Sequence, residues 1–262
     1  MHVRDENKII ASAIALRNAR KASKGITQIS EEFNIKNISE AYAVAEINTL
    51  YAESQGKKIV GKKIGLTSRA VQTQLGVNQP DFGILFDDMQ YENHAAIQIA
   101  QFIQPKIEAE IAFILGEDIP DNINNLSDLL SCISHAVAVL EIVDSAIVDW
   151  KITIEDTIAD NASSAAFVCS QNYIEIQNLN FTNLDMKLFK NGAKVSQSNM
   201  TEIIHPLHAV LWLAKEMNRR KRPLKKGEII LSGALGPMVD VRQGDHIKAE
   251  VAGLGQVNCS FQ

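Results

Sequence analysis

Two glutamates, Glu108 and Glu110, stand two residues apart in the apolar segment PKIEAEIAFIL. The apolar pattern around them predicts a β-strand, and the two-residue period of a strand places both carboxylates on the same face. Like charges side by side on a sheet repel each other, so a lysine or arginine, solvent or a cation must compensate them. Two exposed glutamates on an edge strand would also explain this pattern.

A third carboxylate, Glu141, is the only charged side chain in the apolar stretch from Ala136 to Val143. A carboxylate in such surroundings is rarely left unpaired when it is buried. If Glu141 converges on Glu108 and Glu110, the three form an oxygen-ligand site suited to Mg²⁺ or Mn²⁺. The spacing alone does not establish that convergence.

Lys63, in the segment GKKIGLTS, is a candidate for proton transfer. Lys62 and Lys63 should face opposite ways on a strand, so one of them is expected to face inward. An inward lysine beside a metal site would have a lowered pKa and could move protons. An exposed lysine pair is the alternative interpretation.

Other classes of site receive little support. The histidines are scattered and form no H-E-x-x-H, so zinc is not indicated. His205 and His208 flank Pro206 at a predicted helix start, where capping or packing is expected. There is no G-x-S-x-G, P-loop or phosphate-binding G-x-G-x-x-G. The three cysteines are far apart, which predicts free thiols in a reducing compartment.

The charge distribution argues against nucleic acid as a partner. The net charge of the 262 residues is -5, and nucleic-acid binding needs a clustered basic surface. The densest basic run, from Arg219 to Arg222 with Lys225 and Lys226, is expected to be a solvated helix end. No run reaches the ~20 apolar residues of a membrane span, and no signal peptide is evident. A cytoplasmic location is therefore expected.

The elements that position these residues divide into a helical first part and a strand-rich remainder. Apolar residues at helical spacing predict one helix over about residues 5–22. A second helix should begin with Ser39 as N-cap and end at Gly56. We therefore expect an α+β fold, with a helical section over residues 1–57 and a catalytic domain over residues 58–262.

From Lys58 onward, glycine turns and β-branched residues predict strands in KIVGKKIGLTS, GILFDDM, AAIQIA and IEAEIAFIL. A short helix from Arg69 to Leu75 should follow Ser68. Ser127 should begin a helix, DLLSCISHAVAVL, that runs toward Glu141. The segment TIADNASSAAFVCS is expected to be a loop leading into a strand. A hairpin around Asn191-Gly192, a helix in HPLHAVLWLAKEMNRR and a strand-rich tail complete the prediction.

Several long motifs resemble a known family. GKKIGLTSRAVQTQLGVNQPDFGILFDDM, FIQPKIEAEIAFILGEDI, AVAVLEIVDSAIVDW, TIADNASSAAFV and LSGALGPM are similar to the 2-hydroxypenta-2,4-dienoate (2-keto-4-pentenoate) hydratases of the fumarylacetoacetate hydrolase superfamily. The match covers roughly residues 5–255. The resemblance implies a strand-rich mixed β roll after an N-terminal helical section, assembled as a homo-oligomer. It also implies that Glu108, Glu110 and Glu141 bind Mg²⁺ or Mn²⁺.

The same resemblance implies roles for four further residues. Lys63 and Asp81 of QPDFG are candidates for proton transfer and water activation, without an assignment of which does which. Ser163 of DNASS and Ser232 of LSGALGPM are candidate substrate contacts. The implied reaction, in the catabolism of aromatic compounds, adds water to 2-hydroxypenta-2,4-dienoate through its 2-oxo-3-enoate tautomer and gives 4-hydroxy-2-oxopentanoate. The cation would stabilise enolate character at C2 of the substrate.

Two departures from the family pattern concern the substrate more than the metal. SQSNMTEIIHPLHAV replaces a glycine- and alanine-rich stretch, and Asp240 stands where a proline is frequent. A 4-oxalocrotonate decarboxylase and a 2-oxohept-4-ene-1,7-dioate hydratase are alternatives, as is a non-catalytic partner subunit. GALGPM and FIQPKIEAE favour the hydratase over the decarboxylase, and the intact candidate residues argue against a non-catalytic role.

Overall fold

The computed structural model describes residues 3–74, 77–198 and 203–262. It begins with three helices, α1 (Val3–Lys21), α2 (Ile29–Glu32) and α3 (Ile38–Ser54). The N-cap of α3 is Asn37, whose side chain accepts from the Glu40 amide, so the prediction of Ser39 as the cap is wrong. Asn37 is the cap because its extended backbone lets its side-chain oxygen reach that amide. Gly56 follows the helix end with a φ of +91°, as a C-terminal glycine should.

The remaining regular elements are strands with a few helices between them. The helices are α4 (Arg69–Gln74), α5 (Leu126–Cys132), α6 (Ile154–Ala159) and α7 (Pro206–Arg219). The strands are β1 (Ile59–Gly65), β2 (Asp81–Phe86), β3 (Gln90–Glu92), β4 (Ala95–Ile97), β5 (Lys106–Leu115), β6 (Ile133–Val143), β7 (Ser164–Cys169), β8 (Ile174–Glu175), β9 (Met186–Lys190), β10 (Ala193–Gln197), β11 (Ile229–Ala234), β12 (Val239–Asp240), β13 (His246–Val251) and β14 (Gly255–Phe261).

In the described ranges the strands form two mixed sheets. The larger has the order β2-β1-β11-β5-β6-β7-β3, with β12 beside β5 and β8 beside β6. The smaller has the order β10-β9-β13-β14-β4 and contains the predicted Asn191-Gly192 hairpin between β9 and β10. β1 runs parallel to β11 and antiparallel to β2, while β5 and β6 are antiparallel. These sheets after a helical start confirm the α+β prediction.

The prediction of a long helix toward Glu141 is wrong. Helix α5 is capped by Asn125 and ends at Cys132, and Ile133 begins β6, which carries Glu141. An apolar run of this length fits either a buried helix or a central strand. Pairing with β5 on one side and β7 on the other satisfies its backbone groups as a strand.

Three other predictions can be compared with the structure. The segment TIADN is not all loop, because its first three residues belong to α6, which begins with a capping box of Thr153 and Asp156. Helix α4 begins at Arg69 as predicted, but Leu75 lies outside the described residues. Helix α7 begins at Pro206, and His205 caps it by accepting from the Leu207 amide.

The helical section packs on the sheet domain through its own apolar cluster. Ile9, Ala13 and Leu16 of α1 share this cluster with Ile147 and Ile158, which lie beyond β6. The boundary between residues 57 and 58 stays a prediction. No helix in the ranges given above is long and apolar enough to span a membrane. All three cysteines are buried free thiols, as predicted.

Candidate metal centre and active site

Adjacent strands bring the three candidate glutamates together. Glu108 lies directly opposite Glu141 in the β5–β6 pair, and Glu110 follows two residues along the same face of β5. One carboxylate oxygen from each lies within 4.8 Å of the others. Ligand oxygens on one Mg²⁺ lie at most about 4.2 Å apart, so small side-chain rotations suffice for a shared ion.

Hydrogen bonds orient two of these carboxylates. The Gly233 amide donates to Glu110 Oε2 at 2.8 Å, and Ser164 Oγ donates to Glu141 Oε1 at 2.9 Å. Glu110 and Glu141 are fully buried, yet Glu110 Oε1 has no hydrogen-bond partner among the residues that the structure describes. A buried carboxylate oxygen without a partner is costly, and a bound cation would satisfy it.

The electrostatics of the cluster also fit a cation. Burial, followed by the neighbouring Glu141 charge, raises the pKa of Glu108 to about 8. Burial and the charges of Glu141 and Glu108 raise the pKa of Glu110 well above its ordinary value. Lys63 lowers both pKa values but does not offset these effects. The donor set, hard oxygens with excess negative charge, fits Mg²⁺ or Mn²⁺.

Lys63 is buried in this cluster at 3% exposure. Its Nζ donates to the Ala162 carbonyl at 3.0 Å and lies 3.3 Å from Glu141 Oε2. Burial lowers the pKa of Lys63, but Glu141, Glu108 and the other nearby acids together raise it above its usual value. The predicted lowering of the Lys63 pKa is therefore wrong for the protein alone, because the sequence did not reveal how many carboxylates surround the amine.

Lys62 is not the exposed member of the lysine pair. It is 5% exposed and forms an ion pair of 2.7 Å with Glu228. By strand alternation it faces away from the glutamates, into a groove of about 730 Å³ that Phe82 and Arg220 also line. In the basic run, Arg219, Lys225 and Lys226 are exposed and paired with acids, as predicted. Arg220 departs from the prediction, because it is partly buried over the Tyr42 ring.

Asp81 opposes Gly65 across the β1–β2 pair and is 2% exposed. Burial raises the pKa of Asp81 to about 6, while Lys63 lowers it. Within residues 3–74, 77–198 and 203–262 its Oδ1 has no hydrogen-bond partner, and a Cβ at Gly65 would lie 2.2 Å from that atom. The glycine therefore leaves the space that this oxygen occupies.

Ser163 ends a strained turn next to the cluster. Asn161, Ala162 and Ser163 have φ values of +58°, +52° and +55°, a left-handed conformation that costs L-residues roughly 1–2 kcal/mol each. The turn supplies the carbonyl that Lys63 contacts, and Ser163 Oγ lies 3.1 Å from Thr157 Oγ1. A substrate contact of Ser163 stays a prediction.

Ser232 is engaged elsewhere in the structure. Its Oγ donates to the Ile111 carbonyl at 2.7 Å, and it is the next residue, Gly233, that contacts Glu110. A substrate contact of Ser232 stays a prediction. Part of the unusual segment before His205, residues 199–202, lies outside the described residues.

Sequence reasoning missed the residues that support the site. Ser164 and Gly233 are ordinary strand residues whose contacts depend on pairing across the sheet. Arg20 of α1, which binds two buried aspartates behind Ser163, carried no local signal at all. Ser164 of DNASS begins β7, and only the pairing of β7 with β6 brings its hydroxyl to Glu141.

Known proteins are similar to this chain over nearly its whole length. Residues 58–262 match the model of the fumarylacetoacetate (FAA) hydrolase C-terminal family. A 2-keto-4-pentenoate hydratase of Paraburkholderia phymatum is 42% identical, with 98% of each chain covered. A 2-hydroxyhexa-2,4-dienoate hydratase of Comamonas testosteroni is 36% identical over 98% of each chain.

A solved structure agrees with these relatives. The 4-oxalocrotonate decarboxylase from Pseudomonas putida G7, complexed with magnesium and adipate, has a TM-score of 0.94 and 29% identity, with 98% of each chain covered. The family model and the near-complete coverage of the relatives confirm the resemblance seen in the motifs. This chain belongs to the fumarylacetoacetate hydrolase family.

Proposed function

We propose that this protein is a divalent-metal-dependent hydro-lyase that adds water to 2-hydroxypenta-2,4-dienoate, giving 4-hydroxy-2-oxopentanoate in the catabolism of aromatic compounds. The observation that carries the proposal is the convergence of three glutamate carboxylates beside Lys63 in a chain 42% identical to a 2-keto-4-pentenoate hydratase. Glu108, Glu110 and Glu141 would hold Mg²⁺ or Mn²⁺. When bound, the cation supplies Lewis acidity that polarises the C2 oxygen of the substrate.

The side chains around the glutamates support the proton transfers. Ketonisation moves the enol proton and protonates C5, water then adds at C4, and protonation at C3 completes the product. Lys63 carries transferable protons, and the Asp81 pKa of about 6 lies close to neutral pH, as suits a general acid or base. We assign the proton transfers and water activation to this pair without dividing the steps between them. Ser163, and less directly Ser232, would orient the substrate carboxylate.

A direct assay tests the proposal. Purified protein with Mg²⁺ or Mn²⁺ is mixed with freshly generated 2-hydroxypenta-2,4-dienoate, and the loss of dienol absorbance is followed with identification of the product. We expect 4-hydroxy-2-oxopentanoate, and the rate should fall when a chelator is added. Decay without that product would refute the hydratase assignment.

A decarboxylase is the second candidate, because the solved structure with a TM-score of 0.94 is a 4-oxalocrotonate decarboxylase. Its identity to this chain is 29%, against 42% for the hydratase relative. Incubation with 4-oxalocrotonate and measurement of released CO₂ distinguishes the two activities. The same assay with 2-oxohept-4-ene-1,7-dioate tests the dicarboxylate hydratase, and inactivity on every substrate would support the non-catalytic subunit.

We also propose a homo-oligomer that works in the cytoplasm. Ile10, Ile14, Leu50 and Tyr51 are between 42% and 51% exposed on α1 and α3. Ile10 and Ile14 are one turn apart on α1, and Leu50 and Tyr51 are adjacent on α3. Neighbouring exposed apolar side chains are typical of protein–protein contacts. Sedimentation velocity should show a species larger than 28.9 kDa, and a monomer at micromolar concentration would contradict the proposal.

A further inference from the structure

Arg20 of α1 joins two aspartates that lie more than a hundred residues away in the chain. Its guanidinium contacts Asp160 at 2.7 and 2.9 Å and Asp144 Oδ2 at 2.9 Å, and it also donates to the Asp144 carbonyl. The two aspartates are 1% and 5% exposed. A planar guanidinium binds one carboxylate through two parallel N–H bonds while it contacts a second, and an ammonium group does not reproduce this geometry.

Both aspartates hold the backbone that surrounds the Asn161–Ser163 turn. The Asp144 amide donates to the Ser163 carbonyl at 2.8 Å, and the Ser163 amide donates to the Asp160 carbonyl at 3.0 Å. The Asp160 side chain accepts from the Ala146 amide at 2.7 Å. By binding both aspartates, Arg20 therefore links the backbone segments that are hydrogen-bonded to the turn.

The turn needs such support, because its three residues all have positive φ and none is glycine. Strained backbone of this kind persists when surrounding contacts determine it. The turn contacts the site on the side that faces the glutamates. The Ala162 carbonyl accepts from Lys63, and Ser164, immediately after the turn, donates to Glu141. A shift of the turn would displace the amine and one candidate metal ligand together.

We propose that Arg20 is a positioning residue of the active site, which acts through Asp144 and Asp160 to hold the turn that orients Lys63, Ser163 and Glu141. The first helix, which precedes the segment matched by the family model, then forms part of the catalytic framework. The proposal rests on the proposed function for its effect on turnover. Its effect on metal binding is independent of the reaction catalysed.

Arg17 provides a matched control on the same helix. It is hydrogen-bonded to Asn48 at 2.8 Å and lies 4.0 Å from the centre of the Tyr51 ring, so it ties α1 to α3 without reaching the turn. Arg20→Met, Arg20→Lys and Arg17→Met are compared with the wild type. The readouts are kcat and KM, Mn²⁺ binding by isothermal titration, and amide hydrogen exchange over residues 161–164.

We expect Arg20→Met to weaken Mn²⁺ binding by roughly tenfold, the lower end of the range for losing a direct partner of a metal ligand, because Arg20 acts on Glu141 only through the turn. It should lower kcat more than it raises KM, and speed exchange in the turn. Arg20→Lys should recover part of the loss, and Arg17→Met should match the wild type in all three readouts. If Arg20→Met does not fold, Arg20→Lys carries the test, with weaker binding still expected.

A purely structural role would predict a lower Tm with unchanged kcat and Mn²⁺ affinity in the folded fraction, and that result would overturn the proposal. Equal defects in Arg17→Met and Arg20→Met would overturn it as well. If the wild type lacks hydratase activity, the proposed function fails, but Mn²⁺ affinity and exchange still decide the role of Arg20.

Discussion

Replacing Glu108 with Gln should stabilise the protein in the absence of a divalent cation and weaken its response to one. Burial and the Glu141 charge raise the pKa of Glu108 from 4.5 to about 8. Below about pH 8 Glu108 therefore keeps its proton in the folded protein. In the unfolded chain Glu108 loses that proton above about pH 4.5. Between about pH 4.5 and 8 the wild type should lose stability as the pH rises, since the unfolded state is favoured by ionisation.

The size of this effect follows from the same pKa. From 4.5 to pH 7 is 2.5 pH units, and at about 1.4 kcal/mol each the cost of Glu108 is at most about 3.5 kcal/mol. Gln removes this cost because it does not titrate. One kcal/mol shifts Tm by roughly 2–4 °C in a chain of this size, so the variant should melt up to about 14 °C higher at pH 7. The difference should vanish near pH 4.5.

A bound cation should make the wild type more stable than Glu108→Gln. At a concentration 100 times its Kd, a metal stabilises the wild type by about 2.7 kcal/mol, and the variant should gain much less because one anionic ligand is gone. Differential scanning calorimetry from pH 4.5 to 8, with EDTA or with Mn²⁺, measures both effects. Glu117→Gln is the control, because that side chain is 68% exposed and paired with Lys226 on the surface. A Glu108→Gln protein that is less stable than wild type in EDTA at pH 7, or that gains as much from Mn²⁺, would refute the reasoning.

Three further substitutions test the neighbouring contacts. Lys63→Met should lower kcat by roughly 10²- to 10⁴-fold in the dienol assay, while Mn²⁺ still raises Tm; near-normal turnover would exclude a proton-transfer role. Ser164→Ala removes the donor to Glu141 and should weaken Mn²⁺ binding about tenfold by titration calorimetry, so an unchanged Kd would contradict the contact. Gly65→Ala places a Cβ 2.2 Å from Asp81 Oδ1 and should cost about 1–3 kcal/mol in urea unfolding. In an Asp81→Ala background that loss should shrink, and strict additivity of the two changes would show that they do not interact.

Local patterns were sufficient for part of the site. The period of a strand places Glu108 and Glu110 on one face whatever the rest of the chain does, and the structure has them so. Helices α1 and α7 and the β9–β10 hairpin also follow from local spacing and turn residues. The motif resemblance, confirmed by the family match, extended this reading to the whole fold.

The sequence by itself determined which residues were able to form a carboxylate site, and the tertiary structure decided how they meet. Glu141 sits on a strand and not after a helix, because pairing with β5 and β7 settles a run that local propensity leaves ambiguous. Both lysines of the pair are buried, because each finds an acid on a different side of β1. Arg20 contacts Asp144 and Asp160, which are 124 and 140 residues away from it in the chain. Ion pairs between residues so far apart produce no pattern in the sequence, so only the tertiary structure shows them.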